Sequence, residues 1–167
     1  VSPQTACWTC PLSIWGLAVT EQPAPNSVTL GIDPGANTGM ATFVAGQLVA
    51  LDTVEPQQIE RFIRAKGPAR VIFEDSRLQS HTWTKAPSRA AAAKMARNVG
   101  QVDAWCNLIT ALCAELGIPA HGISPAGKGK KLDAEAFKTV TGWAGKTNEH
   151  ARDAAMVAWP YRGARNG

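Results

Sequence analysis

The sequence predicts an α/β domain, a mixed β-sheet flanked by helices, preceded by a short N-terminal extension. Three observations predict it. Residues 28–54 read as consecutive short strands joined by tight turns, which is a meander. Residues 69–73 and 118–123 are short apolar runs separated by a long segment of helical spacing. Hairpins make neighbouring strands antiparallel, whereas strand–helix–strand units need right-handed crossovers that make them parallel, so the sheet is mixed.

Taken in order, residues 28–33 (VTLGID) form a buried strand that ends in an acid. Residues 34–39 (PGANTG) are rich in the types that tight turns demand. Residues 40–44 return as a second strand, Ala45 and Gly46 turn the chain, and residues 47–54 make a third. Pro56 suits the first turn of a helix, where its missing N–H is not needed, and Ile59, Phe62 and Ile63 extend that helix to about residue 65. The strand over 69–73 runs into Glu74 and Asp75, and a polar loop follows over 76–87. Residues 88–116 are Ala-rich with helical spacing, and Gly117 stands where a helix C-terminus ends. After the strand at 118–123 come a Gly/Lys loop over 124–131 and a short helix over 132–140. Thr147 or Asn148 caps a last helix through about residue 157, and Pro160 closes it.

The 167 residues suffice for one domain whose core needs no disulfide or metal staple. That domain is expected over 28–160, with residues 1–27 as extension and linker and 161–167 as a tail. Seventeen Lys and Arg against thirteen Asp and Glu leave a net charge of +4, which permits nucleic acid as a partner without demanding it. No apolar run approaches the roughly 20 residues of a membrane-spanning helix. Residues 1–27 contain Pro3, Pro11, Pro23, Pro25, Trp8 and Trp15 but no Lys or Arg. A secretory signal needs a basic flank, so export is not expected and a cytoplasmic location is. Cys7 and Cys10 form a CWTC element, but Cys106 and Cys113 lie seven apart in a helix and read as core thiols rather than a second metal-binding pair.

The acids carry the chemistry. In open α/β sheets, sites gather beyond the carboxyl ends of strands. Asp33 ends the first strand and Glu74 the fourth, and Asp153 sits in the last helix, three and four residues after His150 and Glu149. Alone, Asp33 reads as a turn cap, Glu74 as a solvated strand end and Asp153 as a surface residue. Together they make three carboxylates that can meet if the helix packs over the strand ends. Converged carboxylates repel unless a cation neutralises them. Oxygen-rich sites suit magnesium, with manganese able to substitute. Two such ions roughly 4 Å apart can clamp an in-line phosphodiester displacement.

At these residues the chain resembles the RuvC-type Holliday-junction resolvases, especially the bacteriophage branch. The resemblance lies in GIDPGANTGMA (31–41), VIFED (71–75), GKGKKLDAEAF (127–137) and NEHARDAAMVA (148–158), and spans about residues 28–160. It implies a ribonuclease H-like fold, a homodimer and magnesium-dependent nicking of two strands at a four-way DNA junction. It also implies Asp33, Glu74, His150 and Asp153 as the catalytic, metal-binding set, with Glu149 as an alternative to His150. Arg77 stands where the cellular branch carries an aromatic or bulky wedge, and the nearest aromatic is Trp83. Asp133 stands where the family's lysine falls without a gap, and Lys130 and Lys131 come two or three residues earlier.

Two basic surfaces fit nucleic acid. Residues 77–100 contain Arg77, Lys85, Arg89, Lys94 and Arg97 and no acid, with His81 and Trp83 interleaved. Such a surface neutralises phosphates, and Trp83 can stack on bases. Lys128, Lys130 and Lys131 sit in the Gly/Lys loop, where an ammonium can stabilise charge building on a phosphate. The apolar positions Val99, Val102, Trp105, Leu108, Ile109 and Leu112 exceed one helical stripe, so part of that helix is available for a dimer interface.

The resulting expectation is a metal-dependent, structure-selective DNA endonuclease that resolves branched DNA by paired nicks, in phage DNA processing within a bacterial cytoplasm. The Asp-Pro-Gly-Ala-Asn-Thr-Gly turn also resembles the phosphate loop of actin-like ATPases and sugar kinases, but those need a duplicated lobe for which this length has no room. Two other readings remain beside it: a non-catalytic branched-DNA-binding module, and a ribonuclease H-like nuclease acting on other nucleic acids.

Overall fold

The computed structural model describes residues 28–79, 87–127 and 129–163. The predicted extension with its CWTC element lies outside these residues, as do His81, Trp83, Lys85 and Lys128. Five strands, β1 (Val28–Asp33), β2 (Thr38–Val44), β3 (Gln47–Val54), β4 (Arg70–Glu74) and β5 (Ala120–Ile123), form one sheet in the order β3-β2-β1-β4-β5. β1 pairs antiparallel with β2 and β2 with β3, whereas β1–β4 and β4–β5 are parallel. The predicted mixed sheet is therefore present.

Side chains alternate across a strand, and here each face has its own cover. Leu30, Ile32, Val71 and Phe73 face helices α1 (Ile59–Lys66) and α2 (Arg89–Glu115) and pack on Ile59, Ile63, Cys106, Ile109 and Cys113. Ala41, Phe43 and Ile72 face α3 (Ala134–Thr141) and α4 (Glu149–Ala158) and pack on Phe137, Ala154, Ala155 and Val157. Cys106 and Cys113 are free, fully buried thiols, as their spacing predicts. Burial pushes the Cys113 thiol up to about 11.

Element ends shift from prediction by a residue or two for local reasons. Ser88 and Asp133 are N-caps rather than helical residues, each accepting a bond from the backbone N–H three residues on, and Asn148 caps the last helix in the same way, as expected. The chain at Pro56–Gln58 makes a 3-10 turn before α1 begins. β5 starts at Ala120 because the Ile118 N–H is used by the carbonyl of Cys113, closing α2, and Pro119 has no N–H to give.

The closest packing in the fold is backbone against backbone. A Cβ on Gly31 would collide with the Ala154 carbonyl and lie 2.8 Å from the Ala158 Cβ. A Cβ on Gly39 would overlap the His150 carbonyl. With Ala151, Ala154, Ala155 and Ala158 buried on α4, small residues on both partners let the helix lie directly on β1 and β2. We expect Gly39→Ala to cost about 2–3 kcal/mol, because neither backbone can give way. Gly100→Ala in α2, with nothing within 4 Å of the added carbon, should be stabilising by about 0.5–1 kcal/mol through helix propensity. Urea unfolding of the two variants checks the pair of signs.

Candidate functional site

Asp33 and Glu74 end the parallel neighbours β1 and β4. Ile32 is in register with Phe73, so the two acids are the next pair, on strands about 4.8 Å apart. Because Ile32 and Phe73 face α1 and α2, the alternation turns both acids toward α4. The start of α4 lies over this same end of the sheet, since the His150 carbonyl packs on Gly39 and Gly39 pairs with Asp33. Asn148 holds that start in place. It caps the helix and exchanges hydrogen bonds with Thr53 of β3 at 2.8 and 3.1 Å.

His150 Nδ1 stands 3.9 Å from Asp33 Oδ2, and its Nε2 stands 3.8 Å from Glu149 Oε1. Asp153, one turn along α4, is only 4% exposed, and Lys131 brings its Nζ to 3.1 Å from the Asp153 Oδ2. Glu74 Oε2 is sealed from solvent. Glu149, by contrast, is exposed. The structure thus brings Asp33 next to His150 and Asp153 next to Lys131, with Glu74 beside Asp33 on the sheet. Among the described residues, however, no group of three or more His, Cys, Asp and Glu side chains is gathered tightly enough to hold a metal ion. The expected convergence is one of shared face and sheet end, not of a closed cage. Carboxylates repel one another, and here the Lys131 ammonium supplies the positive charge at Asp153. As a donor set, three hard carboxylates with one imidazole suit magnesium or manganese and contain no thiolate to favour softer metals.

The segment after Glu74 is pinned to α2. Asp75 is buried and takes both prongs of the Arg77 guanidinium, Nε and Nη2, at 2.7 Å each. Arg77 also donates to Asn107 and Thr110, and Ser76 donates to Asp103 at 2.6 Å. The Arg77 guanidinium holds the Asp75 carboxyl below the usual carboxylate range, and Asp75 in turn raises Arg77. Arg77, expected at DNA, therefore has its guanidinium engaged inside the protein. No sequence signal marks this: the pair is two residues apart outside a helix, and its α2 partners lie some thirty residues away.

Of the other expected DNA contacts, Arg89 lies exposed in the first turn of α2 and Lys130 exposed in the loop before α3. His81, Trp83, Lys85 and Lys128 lie outside the described residues. The loop's lysines look equivalent in sequence, and between the two described ones, Lys130 and Lys131, the fold brings Lys131 to Asp153.

No protein-family model and no curated protein matches the chain. Among solved structures, T. thermophilus RuvC in complex with a Holliday junction substrate is similar to it, with a TM-score of 0.55 and 17% identity. The match covers 79% of this chain and 90% of that one. The likeness is one of fold, and the mixed sheet flanked by helices is the ribonuclease H-like architecture. Among the described residues no helix is long and apolar enough to cross a membrane.

Removing Arg77 strands a buried carboxylate. We expect Arg77→Ala to cost about 2 kcal/mol at pH 7, below the figure for a fully buried pair because Arg77 is partly exposed. Asp75 has a depressed pKa, so its contribution is complete above the ordinary value near ~3.9 and is lost as pH falls through the lower folded value. The gap between wild type and variant should therefore shrink below about pH 4, as urea melts at pH 7 and pH 3 would record.

Proposed function

We propose that the protein is a metal-dependent, structure-selective DNA endonuclease that resolves four-way junctions or other branched DNA by paired nicks. One observation carries this reading. Asp33 and Glu74 end adjacent parallel strands and turn toward the helix that bears His150 and Asp153. The fold on which they sit is shared with a protein solved in complex with a Holliday junction substrate.

In this reading Asp33, Glu74 and Asp153 hold magnesium, with His150 beside Asp33 as the fourth ligand. When bound, the metal supplies an activated water and neutralises the leaving oxygen. Lys131 is 65% exposed in its side chain and sits in a glycine-containing loop, so its ammonium can reach a scissile phosphate beside Asp153. There it stabilises charge that builds in the transition state. Arg89 and Lys130 hold flanking phosphates, a contact that positions the duplex without reading its sequence.

Paired nicks need two sites, and α2 offers a means of pairing copies. Its 27 residues run about 40 Å, longer than the sheet it covers. Ala92, Met95, Val99, Val102, Cys106, Ile109 and Cys113 follow one stripe at alternating three- and four-residue spacing. Cys106, Ile109 and Cys113 are buried in the domain, but Met95 is 44% exposed. The overhanging part of the stripe suits a second copy. A non-catalytic branched-DNA-binding module is favoured by one observation, the Lys131–Asp153 pair, which a pure binder would keep closed.

A labelled panel of four-way junction, flap, duplex and RNA–DNA hybrid separates these readings. We expect magnesium- or manganese-dependent nicking of the junction that EDTA abolishes. Asp33→Asn should bind the junction within about twofold of wild type and lose at least ~100-fold in nicking, since a removed charge-stabilising group costs about that much. Lys131→Met should do likewise. Undiminished nicking by Asp33→Asn would sink the site assignment, and binding without any nicking by wild type would favour the pure binder.

A further inference from the structure

A second concavity adjoins the acid site on the opposite face of the sheet. It is an open depression of about 330 Å³ between the β1–β2 turn, the end of β3 and α2, and its polar and aromatic lining is Asn37, Glu55, Gln57, Gln101 and Trp105. That volume is at the lower end of what small planar ligands occupy, roughly 300 Å³ and upward. Asn37 stands four residues beyond Asp33 in the same turn, and the Thr38–Val54 pairing brings Glu55 beside it.

The lining has an unusual chemistry for a groove next to a phosphate site. Among the described residues no Lys or Arg lines it and Glu55 is the one charged residue there, which disfavours a phosphate. Three exposed carboxamides share the depression with one half-buried indole. Among the described residues, none of Asn37, Gln57 and Gln101 makes a side-chain hydrogen bond. Trp105 stacks on no other ring there either. An aromatic face, unengaged amides and an acceptor carboxylate are what a nucleobase requires: stacking on Trp, paired bonds from Asn or Gln to an adenine edge, or acceptance by Glu from the amino group of cytosine.

We propose that this cleft receives one unstacked, amino-bearing base, adenine or cytosine, of the strand whose phosphate lies at Asp33. The proposal rests on the endonuclease reading and supplies its sequence preference. Phosphate charge at the acid site and the basic loop selects branched DNA by shape. The cleft then selects which nucleotide register is cut, because a base that fills it brings its neighbouring phosphate to Asp33. Unstacking is least costly at a branch point, where bases are already poorly paired.

The experiment uses the full chain and two readouts. In the first, wild type, Gln57→Ala, Gln101→Ala and Trp105→Phe nick a four-way junction library randomised around the branch. Wild type should favour adenine or cytosine at one flanking position. The Gln variants should flatten that preference by at least ~5-fold, the low end of a base-edge contact, with junction affinity changed less than about twofold. Trp105→Phe, which keeps a stacking face, should retain the preference. In the second, junctions carrying 8-vinyladenine, a fluorescent base that keeps the adenine 6-amino group, at each flanking position are bound by Asp33→Asn in calcium. Fluorescence should be quenched at one position and recover in the additional Trp105→Ala variant, whose fold is checked by its melting curve. Unchanged preference in both Gln variants would overturn the cleft. So would 8-vinyladenine that is quenched nowhere, whether or not nicking occurs. Failure of wild type to nick any junction would count against the endonuclease reading alone, leaving the quenching result to decide the cleft.

Discussion

The close backbone contact between α4 and the strands β1 and β2 is the constraint on which the site depends. Gly31 and Gly39 leave no room for a Cβ beneath Ala154, Ala158 and the His150 carbonyl. That contact fixes the height and angle of α4 over the sheet. It is why His150 lies within 4 Å of Asp33, and why Asp153 is buried though it sits on a helix in a basic chain. A looser helix would leave the same acids in solvent, where each would have its bland role of cap or surface charge. Asn148 and Thr53 secure the other end of the arrangement by tying the helix start to β3.

Electrostatics then divide the neighbouring acids into two kinds. Asp33, Glu74 and Asp153 sit where strand ends and helix start meet. Asp75, adjacent to Glu74, turns to the opposite face and is neutralised internally by Arg77. The alternation of a β-strand is enough to separate them, since successive residues project to opposite sides. The internal pair makes the segment after Glu74 rigid, and a rigid segment holds the carboxylate it follows. Lys131 is different, being exposed and on a loop, so its ammonium can reach another anion beside Asp153.

Much of the architecture was legible because it rests on local rules. The meander over residues 28–54, the Asn148 cap and the Gly117 ending all follow from turn chemistry and capping, which need only neighbouring residues. Asp33 and Glu74 stood out because each ends an apolar strand. The differences arise where distant groups compete for a backbone or side-chain partner. Ile118 was expected in a strand but closes α2, and Arg77 was expected at DNA but meets Asn107 and Thr110.

By itself, then, the sequence determined the order and type of the elements, the two acids at strand ends and the candidate His150–Asp153 face. Those are written in short-range patterns of period two and 3.6. Only the tertiary structure decided that the carboxylates share a sheet end without forming a closed cage, that Lys131 reaches Asp153, and that carboxamides from three elements line one depression with Trp105. Each of these is set by how a helix lies across strands far away in the chain. That placement depends on which backbones can touch, and no local pattern of residues encodes it.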